Sequence, residues 1–173
     1  MTETVDDRAE FDSNKRAAAV QMSADRELMN RALDVSVEAD RYGYSYQWTW
    51  LGLPIIQMPP DIVATQEIIW ECRPQLVIET GIARGGSAVL SASILQLLGE
   101  GRVIAVDIDI RDHNRQALEA HPLVSRIELV QGSSIDPVIV QHIAAAAATV
   151  ERVMVILDSN HTHDHVLADL VEA

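Results

Sequence analysis

The sequence predicts an α/β fold in which a parallel β-sheet carries helices on both faces. Three observations lead to this fold class. The chain has 173 residues, 48% of them hydrophobic, which is enough for one domain with a substantial core. From Gln75 onward, short runs of entirely apolar residues alternate with longer segments whose apolar residues have helical spacing. Strands that are apolar on both faces are typical of parallel sheets covered by helices.

The N-terminal part of the chain is predicted to form a helical and aromatic cap. Residues 1–12 include five acidic residues and little to bury, so we expect a disordered acidic lead. Ser13–Glu38 shows the apolar spacing of an amphipathic helix, with charged residues on its other faces. We expect the cap to comprise residues 13–74 and the sheet domain to comprise residues 75–173.

The segment Tyr42–Trp50 holds five of the chain's seven aromatic residues, at alternate positions. In an extended conformation all five side chains would point to one side. This aromatic face could cover a substrate, but burial against the sheet or a second subunit is favoured, because aromatic side chains carry a large apolar area. Pro60 then suits the first turn of a helix that reaches about Cys72 and is stopped by Pro74.

Four strands and four helices are expected in the sheet domain. The expected strands are Leu76–Ile78, Arg102–Val106, Arg126–Val130 and Arg152–Leu157. The expected helices are Gly86–Leu98, Asp112–Ala120, Asp136–Ala148 and one that starts near His163. This alternation of apolar strands with helices predicts a single parallel sheet.

A glycine-rich turn, from Glu79 to Ser87, follows the first of these strands. Open parallel α/β sheets bind ligands at the carboxyl ends of their strands, so the turn predicts a nucleotide-type site in a Rossmann-like fold. The pattern Glu-x-Gly-x-x-x-Gly, formed by Glu79, Gly81 and Gly85, differs from the dinucleotide fingerprint G-x-G-x-x-G. It is the pattern of S-adenosylmethionine (AdoMet) binding, because a carboxylate favours the cationic sulfonium and ammonium groups. Alternatively, the glycines serve only a tight turn.

Polar residues also follow the second and third strands. Asp107 is placed to accept the hydroxyl protons of an adenosine ribose, unless it only caps the following helix. Ser133, in the turn after the third strand, could hydrogen-bond an adenine edge. Asp136 precedes Pro137 and is expected to be the N-cap of the next helix. These two turns therefore predict the adenosine end of an AdoMet site.

The fourth strand ends in Asp158, followed by three of the chain's six histidines, His161, His163 and His165. Asp158 is a hard oxygen ligand, and an imidazole can ligate a metal or act as a base near neutral pH. A zinc site built from the histidines alone is a weaker interpretation, because it needs a shared helix face and no thiolate is present. The remaining alternative is a polar loop that enters a helix.

Composition disfavours several function classes. The formal net charge of −13 opposes binding to nucleic acid or to an anionic membrane surface. No run of 18 apolar residues is present, and the acidic N-terminus is unlike a signal peptide. The single cysteine excludes an intramolecular disulfide and a thiolate metal cluster. We therefore expect a cytoplasmic protein without a transmembrane segment.

Several segments together resemble the cephalosporin hydroxylase / rhamnosyl O-methyltransferase family, from about Tyr42 onward. The segments are Trp50–Pro54, Gln57–Asp61, Gln66–Trp70, Val77–Ser87 and Leu157–His161. Many class I methyltransferases share the glycine block, whereas this order of motifs is more specific. The resemblance implies an AdoMet-dependent methyltransferase fold and O-methylation of a small-molecule or glycolipid sugar hydroxyl.

The resemblance also implies roles for individual residues. The implied cofactor contacts are Glu79, Gly81 and Gly85 at the methionine end of AdoMet, Asp107 at its ribose and Ser133 at its adenine. Asp158 would be one ligand of a divalent cation such as Mg²⁺. His161 would be a candidate catalytic base.

Only about four of the seven strands of a class I methyltransferase are expected here, so the chain is interpreted as incomplete. The fourth strand would then have an exposed apolar edge, which together with the aromatic face favours a homo-oligomer. Two other functions stay open. One is an NAD(P)-dependent oxidoreductase, in which Asp107 would serve the ribose equally well. The other is a non-catalytic remnant or partner subunit.

Overall fold

The structure, a computed structural model, describes residues 6–172. The chain forms two compact units, which divide in the sequence between Tyr44 and Ser45. The first unit contains helices α1 (Arg8–Ala24) and α2 (Arg26–Asp40), and neither helix contains a buried residue. The domain boundaries that we inferred from the sequence stay predictions.

Helix α1 begins earlier than the sequence suggested. Its first residue is Arg8, so residues 8–12 of the expected disordered lead are helical, while residues 1–5 lie outside the described residues. The single helix expected over Ser13–Glu38 is interrupted at Asp25. The Asp25 carboxylate accepts a hydrogen bond from the backbone N–H of Leu28 at 3.0 Å and so caps α2. This cap divides the expected helix into two.

A 3₁₀ helix at Tyr44–Tyr46 precedes an antiparallel hairpin of β1 (Trp48–Trp50) and β2 (Leu53–Ile55). The extended conformation that would place all five aromatics of Tyr42–Trp50 on one side is therefore not adopted at Tyr44–Tyr46. Helical backbone does not place alternate side chains on one side, so the alternation does not produce a shared face over Tyr44–Tyr46. The two tryptophans of β1 are partly buried against the core of the second unit, whereas Tyr46 is 65% exposed.

All four predicted strands are confirmed. They are β3 (Leu76–Thr80), β4 (Arg102–Asp107), β5 (Ile127–Gln131) and β6 (Val153–Leu157). They form one parallel sheet in the order β5-β4-β3-β6. The chain therefore builds β4 and β5 on one side of β3 and then crosses to place β6 on the other side. In open α/β sheets, such a reversal leaves a ligand-binding crevice at the carboxyl ends of the strands.

Helices cover both faces of this sheet, which confirms the predicted α/β class. They are α3 (Pro59–Cys72), α4 (Gly86–Leu98), α5 (Asp112–Glu119), α6 (Pro137–Ala147) and α7 (His163–Glu172). Val77 of β3 belongs to a core that includes residues of α3 and α4, whereas Leu76 and Ile78 belong to a second core with α6. Asp136 caps α6 as predicted. Across the described residues, no helix combines the length and the apolar character that crossing a bilayer requires.

Candidate functional site

A cavity of about 510 Å³ lies at the carboxyl ends of the parallel strands. Ligand pockets typically occupy roughly 300–1,000 Å³. The turns after β3, β4, β5 and β6 all contribute to its lining. Backbone hydrogen bonds join these turns: Asp158 N–H donates to Thr80 O at 2.9 Å, and Gly132 N–H donates to Asp107 O at 2.8 Å. The cavity therefore occupies the reversal point of the sheet.

Five of the seven site residues predicted from the sequence line this cavity. They are Gly81, Asp107, Ser133, Asp158 and His161. The other two, Glu79 and Gly85, are not among the described residues of the lining. Glu79 lies within β3 and Gly85 directly precedes α4. The fold thus collects residues from four separate turns around one space.

Glu79 is a buried carboxyl group, with 1% of its surface exposed. The Ser87 side chain hydrogen-bonds the Glu79 carboxyl group. The Oε2 atom of Glu79, however, has no hydrogen-bond partner among the described residues. Burial raises the pKa of Glu79 to about 7, with the Ser87 hydrogen bond acting against burial and the Asp158 carboxylate adding to it. An unpartnered buried acceptor is costly, so Glu79 is suited to a donor or cationic group brought by a ligand.

A second cavity, of about 20 Å³, shares Gly81 and Asp158 with the large one. Ser87, the partner of Glu79, also contributes to its lining, and so does Gln57. The buried Oε1 atom of Gln57 has no hydrogen-bond partner among the residues that the structure describes. Since about 10–15 Å³ suffices for one water-sized group, this cavity has room for a group the size of an ammonium.

Two of the three glycines of the turn, Gly81 and Gly85, combine left-handed backbone with close neighbours. Gly81 has a φ of +85°, and a Cβ atom added there would lie 2.1 Å from the backbone oxygen of Asp158. Gly85 has a φ of +87°, and its added Cβ would lie 2.7 Å from the side chain of Leu118. Positive φ values disfavour a side chain at both positions, and at Gly81 the backbone of Asp158 leaves no space for one. Both glycines therefore serve the tight turn, and Gly81 also lines the cavity.

Asp107 holds the glycine-rich turn in place. Its Oδ2 atom accepts hydrogen bonds from the backbone N–H groups of Ile82 and Ala83, both at 3.0 Å, and its Oδ1 atom accepts one from Asp109 N–H at 3.1 Å. It does not cap α5, whose N-cap position is Arg111. A carboxylate has about four acceptor positions, so Asp107 retains capacity for about one ligand hydroxyl.

Asp158 and His161 form a polar pair at the edge of the cavity. His161 Nε2 lies 3.4 Å from Asp158 Oδ1, and the His161 side chain is 82% exposed. Partial burial raises the pKa of Asp158, while the neighbouring His161 acts in the opposite direction. Within residues 6–172, no group of three or more His, Cys, Asp or Glu side chains is arranged to hold a metal ion. The histidine-only zinc interpretation therefore has no support there.

Thr80 and Asp169 are functional candidates that the sequence did not reveal. Thr80 lines the cavity, is 4% exposed, and its Oγ1 atom has no hydrogen-bond partner in the described part of the chain. Asp169 is 4% exposed and contacts the side chains of Ser134, Ser159 and His165, all of which line the cavity. The only sequence signal for Asp169 is its spacing of four residues from His165 on a helix.

Solved structures of CmcI resemble this chain in fold. An apo-structure of CmcI is 23% identical to it with a TM-score of 0.51, over 69% of this chain and 48% of that chain. A CmcI structure with Mg-SAM is 21% identical with a TM-score of 0.49, over 69% of this chain and 48% of that chain. At 23% identity, the likeness to the apo-structure shows only the fold.

Curated relatives are more similar in sequence. The rhamnosyl O-methyltransferase of Mycobacterium tuberculosis (strain ATCC 25618 / H37Rv) is 35% identical over 127 residues, which cover 70% of this chain and 49% of that protein. The rhamnosyl O-methyltransferase of Mycobacterium leprae (strain TN) is 32% identical over 124 residues, covering 70% and 52%. The chain thus spans about half the length of the curated relatives it matches.

The family model called Rhamnosyl O-methyltransferase/CmcI matches residues 42–172. The match begins at the residue where the sequence resemblance begins. It includes β3 to β6 and every turn that lines the cavity. This chain therefore belongs to the rhamnosyl O-methyltransferase/CmcI family.

Proposed function

We propose that the chain performs AdoMet-dependent O-methylation of a hydroxyl group, on a small molecule or on a glycolipid sugar. The observation that carries the proposal is the unpartnered, buried carboxyl oxygen of Glu79, next to a cavity lined by Asp107 and Ser133. The names of the relatives support both the reaction and a sugar acceptor. Acidic groups beside a nucleotide-type site favour a cationic nucleoside ligand.

The donor set fits AdoMet better than it fits a dinucleotide. The AdoMet ammonium group is a cation with three N–H donors, and Glu79 offers it a buried acceptor without a partner. Asp107 has acceptor capacity left for a ribose hydroxyl, and the Ser133 side chain is available to adenine. The diphosphate of NAD(P) would instead meet Glu79 and Asp158 at the turn where dinucleotide sites use glycine and backbone N–H groups. This repulsion argues against the oxidoreductase alternative.

When bound, AdoMet supplies an electrophilic methyl group for an acceptor oxygen. The chain's own contribution is to orient the acceptor hydroxyl and to accept its proton. His161 lines the cavity, and with its Nε2 atom toward Asp158, its Nδ1 atom is available to take that proton. Holding both partners in one cavity lowers the barrier through proximity and orientation.

We propose Asp158 as one ligand of a divalent cation such as Mg²⁺. Its carboxylate is a suitable hard ligand. In the range 6–172, however, the side chains do not complete a metal site. We therefore assign no catalytic step to a metal ion, and the proton transfer above involves only His161 and the acceptor.

Self-association and a cytoplasmic location remain predictions. β6 lies at one edge of the described sheet, and Val153 at its start is 39% exposed. An apolar strand with a free edge favours pairing with another chain. A measurement of molar mass by sedimentation would test the homo-oligomer.

The decisive experiment is a comparison of AdoMet and NAD binding by calorimetry. We expect AdoMet to bind wild-type protein, NAD not to bind, and Glu79→Gln to weaken AdoMet binding at least tenfold, as loss of a charge-assisted contact predicts. Glu100→Gln is the matched control, because Glu100 pairs with Arg152 and does not line the cavity. Absence of AdoMet binding would overturn the proposal. Binding without methyl transfer to any tested hydroxyl would favour the non-catalytic alternative.

A further inference from the structure

We propose that Asp169 is a positioning residue that couples the turn after β5 to the turn after β6, across the cavity. Asp169 lies on α7 and is 4% exposed. Its Oδ1 atom accepts a hydrogen bond from Ser134 Oγ at 2.7 Å, and its Oδ2 atom accepts one from Ser159 Oγ at 3.1 Å. One carboxylate therefore holds both turns, each through a separate oxygen.

His165 is the third partner of this carboxylate. Its Nε2 atom lies 3.6 Å from Asp169 Oδ2 and 3.3 Å from Ser134 Oγ. The spacing of four residues places His165 and Asp169 on the same face of α7. Since His165 also lines the cavity, Asp169 and its partner Ser134 contact a polar ring in the cavity wall.

Burial gives this arrangement its strength. A carboxylate removed from water is stable only when hydrogen bonds replace its hydration, and the two serine hydroxyls supply them. If one turn moves away, Asp169, which is 4% exposed in the intact arrangement, loses one of its two serine hydrogen bonds. The positions of the two turns are consequently linked in free energy, which is the condition for coupling between sites.

The two turns contribute to different parts of the proposed AdoMet and acceptor site. This step of the inference rests on the proposed function. Ser134 follows Ser133, which we assigned to adenine, and Ser159 follows Asp158, which neighbours the candidate base His161. Adenosine in one half of the cavity would thus order the half that receives the acceptor. Neither the sequence motifs nor the proposed chemistry requires such a link.

Hydrogen exchange tests the coupling, with 5′-methylthioadenosine as the probe because it carries adenosine without the ammonium group. In wild-type protein, we expect the probe to slow exchange at least about threefold in residues 131–137 and also in residues 157–163. In Asp169→Ala and in Ser159→Ala, we expect slower exchange only in residues 131–137. Ser159→Ala keeps the buried charge and its Ser134 bond, so it stays informative if Asp169→Ala does not fold. Asp164→Asn, on the exposed side of α7, is the matched control and should behave as wild type.

Persistent protection of residues 157–163 in both variants would overturn the coupling, and so would wild-type protection confined to residues 131–137. If the probe protects neither segment of wild-type protein, the adenosine site itself is wrong. The coupling is then tested without ligand, by comparing hydrogen exchange in Ser159→Ala and wild-type protein. The variant should exchange at least about threefold faster in residues 131–137, because Asp169 has lost one of its two serine hydrogen bonds. Unchanged exchange there would refute it.

Discussion

Asp107 hydrogen-bonds a strained residue of the neighbouring turn. Its Oδ2 atom accepts the backbone N–H of Ala83 at 3.0 Å, and Ala83 has a φ of 45°, which residues with side chains rarely adopt. The Asn114 side chain binds the same residue from its other end, by donating to Ala83 O at 2.9 Å. A turn in this conformation persists only where its surroundings hold it. Asp107 is therefore part of the turn's structure before any ligand binds.

Asp107→Asn tests both roles of this carboxylate. An amide has only one acceptor oxygen, so it cannot accept from Ile82 and Ala83 and also from Asp109 N–H, and we expect the free energy of unfolding to fall by roughly 1–3 kcal/mol. We also expect AdoMet affinity to fall more than tenfold, both through the turn and through lost ribose contact. Urea unfolding and calorimetry measure the two effects. Asp109→Asn is the control: it leaves the backbone N–H to Asp107 in place, and the Asp109 side chain makes a loose ion pair with Arg111 at 4.0 Å. If Asp107→Asn kept the stability of wild-type protein but bound AdoMet more weakly, Asp107 would only contact the ligand and would not stabilise the turn.

The sequence predicted the sheet because the strand signal is local. Apolar runs such as Val153–Leu157 indicate buried strands whatever surrounds them. Alternation of aromatics over Tyr42–Trp50 was a weaker signal, since the 3₁₀ helix at Tyr44–Tyr46 depends on backbone conformation that the pattern does not encode. The contacts of Asp169 join residues 10 and 35 positions away, so they exist only once the sheet has formed.

Gly81→Ala should be among the most damaging single substitutions. The added Cβ would approach Asp158 O to 2.1 Å, and the left-handed backbone adds its own strain, so we expect a loss of about 3 kcal/mol or more. Gly99→Ala is a matched control, because Gly99 has a φ of +83° but nothing within 4 Å of its added Cβ. It should cost about 1–2 kcal/mol from backbone strain alone. Equal losses of unfolding free energy in the two variants would contradict the close contact between the turns.

Glu79 predicts a specific pH dependence of stability. Its pKa is raised from an ordinary 4.5 to about 7 in the folded chain, so between these values the folded state holds a proton that the unfolded state has released. The free energy of unfolding must therefore fall as pH rises through this window, by at most roughly 1.4 kcal/mol per unit of pKa difference. Its contribution is fully present below pH 4.5 and is lost as pH passes about 7.

Glu79→Gln removes this titration but keeps an acceptor for Ser87. We expect the stability difference between the variant and wild type to shift in favour of the variant from pH 5 to pH 8, by chemical denaturation at each pH. AdoMet affinity of wild-type protein should increase over the same range, because an ammonium group pairs with the ionised carboxyl, whereas the affinity of the variant should stay flat. A pH-independent stability difference would mean that the Glu79 carboxyl is solvated in solution.

Thr80→Val distinguishes an effect of the Thr80 hydroxyl on stability from an effect on ligand binding. The Thr80 hydroxyl is buried and unpartnered among the described residues, so its replacement by a methyl group of similar shape should raise the free energy of unfolding, by about 1 kcal/mol. If a ligand group normally satisfies this hydroxyl, binding of AdoMet or of the acceptor should weaken at the same time. Thr149→Val is the control, because Thr149 Oγ1 donates to Ala146 O at 2.6 Å and its loss should destabilise the chain. Should both variants lose stability equally, the Thr80 hydroxyl has a partner within the protein and its role at the cavity is structural.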